Sequence, residues 1–319
     1  MGRRMVAAAV VALAQLTVAP DVRAQGAVPT TPIASRAVAT LNVPGYADFL
    51  APDGRSVWAT NEGRIEQLHP DSARPVATVK LPEPCGAPTV AYGSVWVASC
   101  QGRGSLYRIG RRSHRVEAVI RTGLADLRGE LSVAAGAGSV WVLTDSQGVL
   151  SRVDPATDRV IARIPVAPNS YAAVFGFASV WLTNTTAGGP GAVQRVDPGT
   201  NRVVATIPVG PTPRFLAAGE GAVWTLNQAD GSVTRIDPST DAVSATIAAD
   251  VAGSGGDIAT GRGKVWVRAK KILLTAIDPR NNQVTERFGP AAGSGAVRVA
   301  DDVVWVTAHD SQTVWVLRP

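Results

Sequence analysis

The sequence predicts an all-β fold, a seven-bladed β-propeller with four-stranded blades, on three observations. A Val-Trp pair recurs with its tryptophan at Trp58, Trp96, Trp141, Trp181, Trp224, Trp266 and Trp305, at intervals of 38, 45, 40, 43, 42 and 39 residues. The chain holds only eight tryptophans, and Trp315 alone falls outside the series, so the spacing is not an accident of composition. The same run of four short β-rich segments surrounds each pair, and no stretch beyond the N-terminal segment keeps helical periodicity with caps. Four strands in each period of about 40–45 residues describe a propeller blade.

The N-terminal segment reads as a signal for export. Gly2-Arg3-Arg4 is a short basic start, an apolar run extends from Val6 to Ala19, and Val22-Arg23-Ala24 offers a cleavage site before Gln25. The run is shorter than the roughly 20 apolar residues that span a bilayer. Residues 1–24 are therefore expected to be removed, and residues 25–35, with two prolines and no strand pattern, to form a short leader. Loss of Arg3, Arg4, Arg23 and Asp21 takes the formal net charge from +6 to +4. The densest basic stretch, Arg103, Arg108, Arg111, Arg112 and Arg115, is not a continuous run, and a solvated surface accounts for it. Nucleic acid is accordingly an unfavoured partner, because polyanion binding draws on concentrated positive charge.

The propeller is expected over residues 36–319. Its clearest repeat is Phe215–Ala249. Strands are expected at Phe215–Ala218, Ala222–Leu226, Ser232–Ile236 and Val243–Ile247, each bounded by Gly, Pro, Asn or Asp. The turn before the fourth strand is Asp237-Pro238, with copies at Asp154-Pro155, Asp197-Pro198 and Asp278-Pro279. Aspartate there can accept a bond from the N–H two residues on, and proline presets φ for the next position. His69-Pro70 and Gly110-Arg111 occupy that slot in the first two blades. The second strand is apolar on both faces, as expected of a sheet buried between two others.

The ends predict closure. Residues 36–43 read like a fourth strand, whereas the C-terminal repeat has only three, at Ala296–Ala300, Val303–Thr307 and Thr313–Leu317. An N-terminal strand that completes the last blade leaves no end to fray.

Cys85 and Cys100 flank a hairpin that turns at Tyr92-Gly93, which brings them opposite each other. In an exported chain a disulfide is the natural reading, worth about 3 kcal/mol in the chain-entropy model. The competing reading is a metal or redox pair, for which no nearby histidines are available.

Catalytic chemistry has little to draw on. Of three histidines, His69 and His114 lie in turns expected on the face opposite the functional mouth, and only His309, followed by Asp310, lies on the mouth side. No Gly-x-Ser-x-Gly elbow, His-x-x-x-His pair or phosphate-binding loop appears, and Gly188-Gly189 and Gly253–Gly256 precede no helix. No cofactor or metal is expected. The mouth itself is formed by the loops from strand four to strand one and from strand two to strand three. Counting back from each tryptophan places Asp48, Gly86, Leu131, Tyr171, Arg214, Gly256 and Gly295 there, with Arg128, Glu130 and Asp257 beside them. Asp48, Glu130, Tyr171, Arg214, Asp257 and His309 are the candidate ligand-binding residues. They form either a polar pocket for a small ligand or a partner's side chain, or a water-filled funnel.

Trp58-Ala59-Thr60-Asn61 and Trp181-Leu182-Thr183-Asn184 resemble the YVTN core with tryptophan in place of tyrosine. With Ile236-Asp237-Pro238-Ser239-Thr240 and the Val204–Gly210 phrase, residues 36–319 resemble an exported YVTN-type (YncE-like) propeller. The resemblance implies the fold and a periplasmic or extracellular setting, and leaves the role open. A binding or interaction module, whose partner is a small molecule or an envelope or extracellular protein, stands first. A propeller enzyme resembling streptogramin (virginiamycin B) lyase or a lactonase is the alternative. The Ala51–Asn61 phrase is similar to a lyase repeat, but the histidine set of those enzymes is missing. Polyanion binding stands third, and a quinone-dependent dehydrogenase lacks its calcium carboxylates and adjacent cysteines. Intact-mass measurement of the chain secreted by an exporting host should show a protein that begins at Gln25; a full-length mass refutes cleavage.

Overall fold

The computed structural model describes residues 28–100, 105–123, 132–145, 147–185 and 190–319. The signal segment, the first residues of the leader, Arg103, Arg128, Glu130, Leu131 and Gly188-Gly189 lie outside them. Seven antiparallel sheets follow one another around an axis, and their inner strands touch in sequence, blade seven returning to blade one. Blade five shows the plan, with strands Pro213–Gly219, Ala222–Asn227, Ser232–Asp237 and Ala242–Ile247 in order from the axis outward. These bounds agree with the expected ones to within two residues.

The ring closes as expected. Ala37–Asn42 pairs antiparallel with Thr313–Leu317 and becomes the outer strand of the C-terminal blade. The leader is not featureless, however. Thr30–Pro32 runs parallel to Gln283–Gly289 and gives blade six a fifth strand. The outer strand there presents an unpaired edge, and a short segment ending in proline can use it because proline is tolerated at a sheet edge.

The second strand of each blade is the core. In Ser56–Asn61, Ser94–Ser99, Ser179–Asn184, Ala222–Asn227 and Val303–Ala308 every residue is buried. The seven tryptophans of the series are fully buried. A buried indole needs an acceptor for its N–H, and the first strand supplies one. Trp96, Trp141, Trp181, Trp224 and Trp266 donate to the carbonyls of Ala91, Gly136, Gly176, Gly219 and Gly261, each five residues back, at 2.9–3.1 Å. Trp305 departs from this rule. It donates to the Arg55 carbonyl of blade one at 3.0 Å, across the closing joint.

The Asp-Pro turns do what the sequence suggests. Asp154, Asp197, Asp237 and Asp278 accept the N–H two residues on at 2.8–2.9 Å. His69 substitutes for the aspartate, its Nδ1 accepting the Asp71 N–H at 3.2 Å. The turn then needs a left-handed residue, filled by Asp158, Asn201, Asp241 and Asn282 at φ 54–59°. Asp and Asn tolerate that region because their short side chains bond locally.

These turns also lock the blades together. Arg152, Arg195 and Arg235 stand opposite the tryptophan of their own blade. Each guanidinium lies 4.8–5.4 Å from that indole. Arg152 then donates to Pro198 O and Asn201 Oδ1 of the next blade at 2.7 and 2.8 Å. Arg195 reaches Pro238 O and Asp241, and Arg235 reaches Pro279 O and Asn282, in the same way. Arg108 pairs with Asp158 at 3.0 Å. At the first joint the roles change hands: His114 of blade two packs edge-on against Trp58 at 5.7 Å. Arg111, beside it, pairs with Asp53 of blade one.

Each clamp combines a cation–π contact with two hydrogen bonds, so Arg195→Ala should cost about 1–3 kcal/mol. Urea unfolding measures it. An unchanged midpoint and slope would show that the clamps do not hold the ring.

Candidate functional site

The mouth is built by the first strands and the ends of the second strands. At the position two after each series tryptophan, Thr60, Thr183 and Thr307 do similar work. Thr183 accepts the Ala172 N–H at 3.0 Å and donates to the Arg214 carbonyl of the next blade at 3.1 Å. Thr307 accepts Ala296 N–H at 2.7 Å and donates to the Asp48 carbonyl at 2.9 Å. Thr60 accepts the Phe49 N–H at 3.1 Å. These hydroxyls fix the backbone of two expected site residues, Asp48 and Arg214.

Below the mouth the channel waist is lined by small, mostly apolar side chains with backbone polar groups exposed between them. Leu50, Ala87, Ala134, Ala173, Ala217, Ala259 and Val299, one per blade, line a space of about 270 Å³ in which Arg298 is the charged lining residue. Between waist and mouth, Phe49 of blade one meets Phe215 of blade five at 6.2 Å. Those blades are not neighbours, so the contact crosses the axis. Tyr171 of blade four packs edge-on to Phe215 at 5.7 Å. Beside the polar residues of the mouth, then, stands a cluster of aromatic rings, two of them, Phe49 and Phe215, largely buried. Sequence reading counted polar residues and passed over the phenylalanines beside them.

The six candidates separate into distinct environments. Asp48 is partly buried at the rim. Tyr171 and Arg214 form a pair, with the guanidinium 4.4 Å from the ring centroid. Asp257 is buried: its oxygens accept Ile258 N–H at 2.9 Å and Val297 N–H at 3.1 Å and meet Arg298. Burial pushes its carboxyl above the usual carboxylate range, against the pull of Arg298. His309 is buried beneath Tyr46, rings stacked at 3.8 Å, with Nδ1 2.8 Å from Asp310 and Nε2 4.0 Å from Asp48. Glu130 lies outside the described residues.

Sequence reading missed Arg268. It is fully buried at the position where other blades carry Thr60, Thr183 or Thr307. Its Nε donates to Thr307 O at 3.0 Å, its Nη2 to Ala292 O at 3.3 Å, and Nη1 meets Ala269 O. Burial lowers its pKa to about 10, while Asp48, Asp310 and Asp257 favour its charge. Gly256 makes room for it: at φ +113° this residue passes so close that a Cβ would stand 2.2 Å from the Arg268 carbonyl oxygen. A signal was present, since a charge in an otherwise apolar Val-Trp strand breaks the repeat. The buried Arg268, Asp257 and His309, with the partly buried Arg298 and Asp48 and the exposed Asp310, form a charged junction where blades six, seven and one meet.

Beside this junction a cavity of about 400 Å³ opens between blades one and two. Tyr46, Asp48, Glu62 and Glu83 line it, Phe49 belongs to its wall, and Cys85 and Gly86 close the far side. Asn61 shapes it, accepting the N–H groups of Tyr46 at 2.6 Å and Glu62 at 2.8 Å. The Cys85–Cys100 disulfide is formed, with Cα atoms 5.8 Å apart, and ties the Glu83–Gly86 wall to the end of the second strand. Cys85 lies inside the Pro84–Ala91 strand rather than before it, at the edge of a bulge. Among the described residues no three His, Cys, Asp or Glu side chains form a group that could hold a metal.

No family model matches the chain, and no curated protein is similar to it in sequence. Solved structures share its fold. BamB from Moraxella catarrhalis is 15% identical with a TM-score of 0.61, covering 85% of this chain and 82% of that one. The Neurospora crassa Pan2 WD40 domain is 14% identical at 0.67, covering 85% and 88%. Hydrazine synthase of Kuenenia stuttgartiensis is 13% identical at 0.73, covering 93% and 99%. Identities this low carry the architecture and not the activity.

Burial, with Arg268 and Lys270 near by, holds the His309 pKa below its ordinary 6.5 despite Asp310. The unfolded chain binds the proton more readily than the folded one. Stability from the neutral ring is therefore present above about 6.5 and lost as pH falls through the lower folded value. The melting temperature should drop on acidification below about pH 6.5, and His309→Asn should flatten that slope. Parallel profiles for the two proteins would refute the assignment.

Proposed function

We propose that this chain is an exported YVTN-type propeller that acts as a binding module. It receives a small molecule, or a side chain of an envelope or extracellular protein, at the mouth where blades one, two, four and five converge. The observation that carries this reading is the rim itself. A cavity of about 400 Å³ lined by Tyr46, Asp48, Glu62 and Glu83 adjoins an aromatic floor, with the Arg214–Tyr171 pair on the other side. Concave sites with a few convergent polar groups over apolar walls are the usual form of a ligand pocket.

Export is supported by the disulfide, which persists in an oxidising compartment, and by the basic-then-apolar N-terminal segment. Polyanion binding gains no support from the basic stretch, where Arg108 is paired with Asp158 and Arg111 with Asp53. The lyase-like and lactonase-like alternatives have no observation of their own at the mouth, where His309 is packed under Tyr46.

A thermal-shift panel of sugars, cell-wall fragments, lactones, streptogramins, divalent metals and oligonucleotides tests the reading. A ligand at a hundred times its dissociation constant adds about 2.7 kcal/mol, a shift of a few degrees. At least one stabilising ligand is expected, with its shift removed by Tyr46→Ala or Asp48→Asn. Hits indifferent to every rim substitution, or a response to oligonucleotides that collapses with salt, would overturn it.

A further inference from the structure

Arg214 stands apart from the other partly buried arginines of the propeller. Arg108, Arg152, Arg195, Arg235 and Arg298 each pair with a carboxylate or reach a neighbouring blade's carbonyl. The Arg214 guanidinium makes no hydrogen bond or ion pair with the described residues, and its Nε is buried without an acceptor. It lies over the Tyr171 ring at 4.4 Å. A buried donor without an acceptor is costly, and native structures rarely keep one without a use.

The backbone is arranged to present this side chain. Arg214 sits at a break in strand register between Pro213 and Phe215, so it has no partner residue on the second strand. Such bulges re-aim a side chain at a sheet's rim. Thr183 pins its carbonyl from blade four, and Tyr171 supports its plane. The carbonyl is thus held and the guanidinium is supported from beneath, while its nitrogens have no acceptor among the described residues.

We infer that Arg214 is the anchor of a carboxylate site, and that the ligand is a monoanion with an apolar body. This deepens, and rests on, the reading of the mouth as the binding site. The guanidinium fork matches a planar carboxylate through two parallel bonds. Phe215, the next residue, and Phe49 are largely buried and pack against each other beside it, so an apolar body would lie against the small part of their rings that stays exposed. A dianion such as phosphate fits poorly, because the far rim carries Asp48, Glu62 and Glu83. A guanidinium opposite Asp48, Glu62 and Glu83 selects one negative charge at one end of the molecule, and tolerates a neutral or cationic group at the other.

Binding of 3-phenylpropionate to the purified protein, measured by saturation-transfer NMR and calorimetry, tests this. The uncharged 3-phenylpropionamide, inorganic phosphate and 2-phenylethylamine serve as comparators. The carboxylate should bind at least about tenfold tighter than its amide, as expected for charge-assisted hydrogen bonds, and phosphate should not displace it. Arg214→Gln should abolish that preference, and Arg214→Lys should keep part of it. Neither variant should melt more than about a degree or two below the wild type, because the guanidinium's contact in the unliganded protein is the Tyr171 ring alone. Four outcomes overturn the inference: no binding of the carboxylate, equal binding of carboxylate and amide, indifference to Arg214→Gln, or a loss of several degrees in that variant. Preferential binding of phenylethylamine, sensitive to Asp48→Asn, would also overturn it while leaving the mouth as the binding site. Binding of every probe indifferent to both Arg214→Gln and Asp48→Asn would count against the mouth as well.

Discussion

A four-stranded blade has two apolar faces and can satisfy neither by itself. Everything else in this structure depends on that constraint. The Val-Trp strand places its indole against the neighbouring sheet, and burying all seven requires a closed ring. Apolar burial supplies the force, at about 25 cal/mol for each Å² removed from water. The polar groups taken inside with it set the geometry. Each buried indole N–H has an acceptor, and at two joints Thr183 and Thr307, two positions on, connect one blade's edge to the next. The clamps from Arg152, Arg195 and Arg235 repeat the connection on the opposite face. Closure then becomes a matter of one more joint of the same kind, made by Trp305 with Arg55 and by Ala37–Asn42 with the last blade.

Against this regular ground, departures from the repeat are informative. Blades three to five carry the arginine clamp and an ordinary second strand. The joints among blades six, seven and one instead bury Arg268, Asp257 and His309. Buried ion pairs seldom stabilise a fold over the apolar alternative, because desolvation offsets most of the attraction. Arg268, Asp257 and His309 lie under one sector of the mouth, where His309 stacks against Tyr46 and approaches Asp48. The open Arg214 fork on the far side faces that sector across Phe49 and Phe215. Among the described residues, Asp48, Glu62 and Glu83 stand beside blades one and two, and Arg214 at blade five.

Much of the fold was legible because it is periodic. Tryptophan spacing, the Asp-Pro turns and the missing fourth strand of the last blade are local patterns that repeat, and each copy confirms the others. The disulfide was legible because both cysteines flank a single hairpin. What was not legible is what depends on non-local approach. Thr30–Pro32 has no pattern of its own and becomes a strand only because blade six offers an edge. Phe49 and Phe215 lie more than 160 residues apart in the numbering, and only ring closure shows that they meet. Counting from the tryptophans picks out Asp48, Tyr171 and Arg214, which stand at or beside the first strands of their blades. The same count could not show that Asp257 and His309 turn inward, since burial of a side chain at a strand end is decided by the neighbouring blade. Arg268 was visible as a violation of the repeat but carried no chemistry until its three acidic neighbours were in place.

The most direct test of the account is a crystal structure of the protein with its best-binding ligand from the panel. The account predicts ligand density over the Phe49–Phe215 floor, in contact with the Arg214 guanidinium or with the Tyr46–Asp48 rim. Density on the outer strands, or on the Asp-Pro face with an empty mouth, would contradict it.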